Sequence, residues 1–151
     1  MISLLHVTVS AQHSVLSFSE AEDHGLSIQK IDTEYKSAIH TQSEKAVFTE
    51  KADQFTEEYK LFIFDLAREL NENGFYWDEP TRVFTRVYFS KDGRVDHFFY
   101  NNEHAGLSES EQQRFNTIVD NYISDKSLSI GGTEPFAQCS PVVYSDVMEK
   151  E

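Results

Sequence analysis

The chain predicts an α+β domain: two helices packed on one face of a small antiparallel sheet, in the core order helix-strand-strand-helix-strand. Three observations carry this expectation. An apolar stripe recurs at helical spacing over 52–70, two β-rich runs flank Asp92-Gly93, and a capped second stripe begins at Ser108. A chain of 151 residues suits one domain with its own core. Residues 26–151 read as that domain, and residues 1–25 as a signal-like remnant followed by a loose arm.

The opening MISLLHVTVSAQ is apolar and reaches small residues at Val9-Ser10-Ala11 before Gln12, like the end of a secretory signal, although the cationic start is missing. A buried N-terminal strand is the alternative. The first reading places the protein in the periplasm or outside the cell; a cytoplasmic location is the alternative to it. Residues 13–25 are polar, with Glu20, Glu22, Asp23 and Gly25, and predict a loop. No segment offers the ~20 apolar residues of a membrane-spanning helix.

Over 26–39 the apolar residues Leu26, Ile28, Ile31, Tyr35, Ala38 and Ile39 partly fit a helical stripe, and 44-EKAVF-48 reads as a short strand. The strongest periodicity follows. Ala52, Phe55, Tyr59, Phe62, Ile63, Leu66, Ala67 and Leu70 recur at steps of three and four, which puts them on one side of a long helix. Thr49 is placed to cap its first turn, and Gly74 to end it in the left-handed conformation.

Pro80 in 77-WDEP-80 forbids helix continuation, and 82-RVFTRVYF-89 is dense in β-branched and aromatic residues. Asp92-Gly93 suits a tight reversal that returns 94-RVDHFFY-100 antiparallel to it. The register stays open, since a two-residue turn and a three-residue turn with a glycine bulge send opposite residues inward; Phe98 and Phe99 compete for the core. Ser108 with Glu111 forms a capping box ahead of Phe115, Ile118, Val119, Tyr122 and Ile123, giving a helix over roughly 109–124. Gly131-Gly132 then precedes 136-FAQCSPVVY-144, a strand whose Pro141 suits a sheet edge.

Composition narrows the function. Lys+Arg 13 against Asp+Glu 26 gives a formal charge of −13, which repels nucleic acid and anionic membrane surfaces. With 13% aromatic residues the chain is too rich for a disordered acidic tail. A single Cys139 excludes an internal disulfide. The histidines, His6, His13, His24, His40, His97 and His104, show no spacing that sets two imidazoles on one helical face, so no metal site is expected. No cofactor is expected either: there is no nucleophile elbow, phosphate loop or dinucleotide fingerprint. Asp78-Glu79 beside Trp77 reads as a solvated turn rather than a catalytic acid against an aromatic wall.

Taken with the element order, 87-VYFSKDGRVDHF-98 and Pro141-Val142-Val143-Tyr144 resemble the C-terminal domain of TonB-like energy transducers over about the last hundred residues. The matching positions are Phe89, Asp92, Gly93, Arg94 and Val95, then Pro141 to Tyr144. The long helix before the hairpin, the missing Tyr-Pro opening and the lack of a Pro-rich spacer depart from that pattern. The resemblance therefore implies partner binding without energy transduction. The Ser-Ala-Gln tail of the opening segment also resembles exported proteins of Bacteroidetes-type bacteria.

Two function classes follow. The first is a non-enzymatic envelope module that takes a protein partner, or a second copy of itself, on a sheet edge; its candidate residues are Phe136, Gln138, Ser140, Val142, Tyr144 and Trp77. The second is a small enzyme using Cys139 with His97 as base, or the His97 and His104 region with Glu103.

Overall fold

The computed structural model describes residues 13–150; the signal-like residues 1–11 lie outside the described residues. The elements are β1 (Ser14–Ser17), α1 (Phe18–Asp23), α2 (Ile28–Asp32), β2 (Lys36–Ser37), a 3-10 turn (Ser43–Lys45), α3 (Ala52–Glu72), β3 (Thr81–Phe89), β4 (Val95–Tyr100), α4 (Asn102–Ala105), α5 (Glu109–Ser124) and β5 (Phe136–Tyr144). The fold is mixed α and β, with one sheet in the strand order β1-β4-β3-β5-β2. β3 is antiparallel to β4 and β5, but β1 runs parallel to β4 and β2 parallel to β5. The expectation of an antiparallel sheet is thus corrected. Both parallel partners are too short to announce themselves by alternation.

The helical stripes become buried faces. Phe55, Tyr59, Phe62 and Leu66 of α3 share one cluster with Phe115 and Val119 of α5 and with Val83, Val87, Phe98 and Val142 of the sheet. Each such side chain contributes about 1.5–3 kcal/mol on leaving water. The two helices are tied directly, since the Tyr122 hydroxyl donates to the Phe62 carbonyl at 2.7 Å. Glu72 ends α3, and Gly74 then takes φ +78. Thr49 does not cap the helix with its side chain; only its carbonyl takes part, accepting from the Ala52 amide. In α5 both halves of the Ser108–Glu111 capping box are formed.

Coverage is not confined to one face. Ala21 of α1 and Ile31 of α2 pack on Tyr88, Phe99 and Ala137 across the opposite side of the sheet. Residues 14–23, expected as a loose polar arm, are therefore β1 and α1, with Ser17 and Ala21 buried. The stripe over 26–39 gives only the short α2 and β2, because Gly25 and the Thr33–Glu34 turn break it. Of 44-EKAVF-48, Ala46 forms an isolated bridge to Ser37 while the Val47 and Phe48 amides donate to the Ser37 and Ala38 carbonyls, which is short of a strand.

The hairpin resolves the register. The Gly93 amide donates to the Ser90 carbonyl and Ser90 in turn to Arg94, with φ +87 at Gly93 alone, so the connection is a turn closed by a glycine bulge. A second irregularity follows: Phe89 pairs with Val95 but Tyr88 with His97, leaving Asp96 as an extra residue. Regular pairing through Asp96 would turn His97 to the helices. With the bulge, Phe98 and Tyr100 join the helix-side core while His97 and Phe99 turn to the α1–α2 side. Phe98 and Phe99 are both fully buried because both faces of the sheet are covered here.

Candidate functional site

β5 is paired with β3 along its whole length, from Phe89 opposite Phe136 to Thr81 opposite Tyr144. On its other side β2 meets only Phe136 and Ala137, and beyond Ala137 no strand among the described residues continues the ladder. Alternation tells which groups face that open side. The Ala38 amide donates to the Ala137 carbonyl at 2.8 Å, so the odd-numbered residues of β5 direct their backbone groups outward. Pro141 falls in this set, and its missing N–H costs nothing in the β3 ladder. Cys139 and Val143 each keep both an N–H and a C=O on the open side. From Gln138 to Tyr144 the open edge runs roughly 20 Å at strand geometry.

Beside this edge lies an apolar groove of about 400 Å³. One wall is α3, with Tyr59, Ile63 and Phe64; the other is β5, with Ser140, Val142 and Val143. Phe64 is 52% exposed, Val143 62% and Leu61, one turn from Phe64, 60%. Phe64 and Val143, both of which line the groove, put two large apolar groups in water on its opposite walls, with Leu61 exposed on α3 outside it. Lys60 is the cation on its rim.

The sequence-derived candidates divide between core and edge. Phe136, Val142 and Tyr144 are buried toward the helices, and Trp77 lies beneath them, stacked on the Tyr144 ring at 5.0 Å. Ser140 opens onto the groove. Gln138 instead lines a separate concavity with Asp32, Arg86 and Cys139. Leu61, Phe64 and Val143 are the groups that the sequence reading missed. The available signal is that Leu61 and Phe64 sit three residues apart, off the buried stripe, as large apolar side chains on the outer helix face.

On the opposite sheet face, Asp32 accepts from the Tyr88 hydroxyl at 2.7 Å and pairs with the Arg86 guanidinium. Tyr35 donates to Asp96 at 2.9 Å. Cys139 pairs opposite Arg86 and His97 opposite Tyr88 on the far side of β3. Two strand spacings and two residues separate them, roughly 12 Å between backbones. Burial raises the Cys139 thiol, against the Arg86 charge, although the residue is exposed at the surface. Burial also lowers the His97 imidazole, opposed by the Asp96 and Glu34 carboxylates. His104 is on α4, past the far end of β4 from His97, beside Arg82, Phe84 and Pro141. Among the described residues no three His, Cys, Asp or Glu side chains are arranged to hold a metal ion, and no helix is long and apolar enough to cross a membrane. Comparison with protein-family models, curated proteins and solved structures finds no match.

Proposed function

We propose that the protein is a non-enzymatic binding module that accepts an extended segment of another protein as an added strand on the open edge of β5. The observation that carries this reading is the conjunction of unpaired backbone groups at Cys139 and Val143 with the apolar groove between that edge and α3. Main-chain bonds supply affinity in such a complex and the groove supplies selectivity. The resemblance to TonB-like C-terminal domains and the signal-like opening support placing the module in the periplasm or outside the cell. Charge favours a different chain over a second copy, since two bodies of −13 repel while a partner with lysine or arginine beside its apolar positions is attracted.

The edge can be tested without touching the core. Val143→Pro removes an outward N–H as Pro141 already does, so the β3 ladder survives and the melting temperature stays within a few degrees of wild type. Binding of a lysine-flanked, alternating-valine peptide, followed by fluorescence anisotropy, is expected to weaken at least tenfold. Undiminished binding, or amide shifts on titration that avoid 138–144, would refute the edge reading. Concentration-dependent dimerisation in sedimentation equilibrium would identify a second copy as the occupant.

A further inference from the structure

The groove is apolar, yet two phenol rings that line it, Tyr59 and Tyr144, are more than nine-tenths buried and their hydroxyls meet no hydrogen-bonding partner. Burial raises both phenols, and the nearby Ser140 and Thr85 hydroxyls, which oppose it at Tyr59 and Tyr144, fall short of hydrogen-bonding geometry. Core strands rarely leave such groups bare, because a buried hydroxyl without a partner forfeits its bonds to water. Tyr122, on the neighbouring helix, shows the ordinary solution by donating to a backbone carbonyl.

We infer that the groove selects its partner by one uncharged hydrogen-bonding side chain, threonine, serine or asparagine in type, set among apolar neighbours and lying beside Ser140, where it meets the hydroxyls of Tyr59 and Tyr144. This rests on the strand-addition reading and specifies its partner. A charged side chain is disfavoured at this point, since Lys60, the one charged residue that lines the groove among the described residues, is exposed and already paired with Glu57, and desolvating an unpaired ion is far costlier than desolvating a hydroxyl. A purely apolar side chain fits the volume but leaves the hydroxyls bare. The selected partner segment is thus cationic at its ends, apolar at the alternate positions that face α3, and neutral-polar at one of them.

The test uses two lysine-flanked, alternating-valine peptides that differ at one groove-facing residue, threonine in one and the near-isosteric valine in the other, with that residue moved along the series. Wild-type protein is expected to bind the threonine peptide about tenfold more tightly in one register, the order of one buried hydrogen bond. In Tyr59→Phe or Tyr144→Phe the ratio of the two affinities is expected to fall to about one, whatever the absolute affinity for either peptide becomes. These variants discard an unsatisfied hydroxyl and keep the ring, so their melting temperatures are expected to match or exceed that of wild type, and a folding defect is read separately. Binding of both peptides without discrimination in any register overturns the inference and leaves strand addition standing. Binding of neither overturns both.

Discussion

Gly93 shows how much one residue fixes. Its φ of +87 lies where a side chain is strained, and a Cβ built on it would come within 2.7 Å of the Leu128 carbonyl oxygen and 3.1 Å of that of Ile130. The same carbonyl of Gly93 accepts the Leu128 amide at 2.9 Å, so the strand-linking turn and the chain leaving α5 are clamped face to face. Neither obstacle is a flexible side-chain tip that can step aside. Gly93→Ala is expected to cost about 1–3 kcal/mol for the backbone conformation alone, and more for the displaced 127–130 segment. Urea unfolding should show this as a lowered midpoint with an unchanged slope. A midpoint equal to that of wild type would mean that the turn gives way freely. The sequence displays the need for glycine here, through Lys-Asp-Gly-Arg between two β runs, but not the second reason, because a contact with residues 35 positions away leaves no local pattern.

At the scale of elements, what the sequence reveals depends on length. α3 and α5 are each long enough for a 3.6-residue period to repeat, so their stripes and the Ser108 cap are readable. β1 and β2, with four and two residues, cannot display a period of two, and α1 and α2 barely complete a turn. One signal was there to be read: Ser17 is followed by Glu20 at the spacing of Ser108 and Glu111, and the Ser17 hydroxyl does accept from the Glu20 amide at 3.1 Å. The Asp96 bulge had no signal at all, because tertiary coverage of both faces, not alternation, decides the β4 register. Deleting Asp96 supplies the check. Without that residue the Phe89–Val95 and Tyr88–His97 pairs become consecutive, so the ladder turns regular and His97, Phe98, Phe99 and Tyr100 all keep their present faces. The expected loss is then confined to the bond that Tyr35 donates to Asp96, about 1 kcal/mol, with near-ultraviolet dichroism kept. A loss several times larger in urea unfolding, or vanished near-ultraviolet dichroism, would show that the bulge itself and not the register holds the aromatic layers.

For the whole molecule the groove was legible only in part, since a strand edge can be anticipated from Pro141 but a groove needs α3 and β5 to be placed against one another. The surface charge was legible outright, and it bears on the response to pH together with two groups that their surroundings shift. Burial pushes Asp146 upward, yet the amides of Trp77 and Asp78 and the Asn71 side chain, at 2.9 Å each, outweigh it and hold the carboxyl below its ordinary value. Its contribution is complete above the unfolded value of about 3.9 and is lost as pH falls through the folded one. His97 acts earlier. Its imidazole is lowered by burial among Tyr35, Tyr88 and Phe99, with the Asp96 and Glu34 carboxylates opposing, so the unfolded chain takes up the proton first. The neutral ring therefore stabilises the fold fully above about pH 6.5, and that contribution drains away below it. Acidification also relieves the self-repulsion of a body at −13, which works in the opposite direction and is screened by salt. Subtracting the pH profile of His97→Phe from that of wild type in 0.5 M salt cancels this second effect, since both proteins carry the same carboxylates. The difference is expected to run level from pH 8 to 6.5 and then to turn against wild type down to pH 5. Parallel profiles over the whole range would place the imidazole in water and remove it from the acid response.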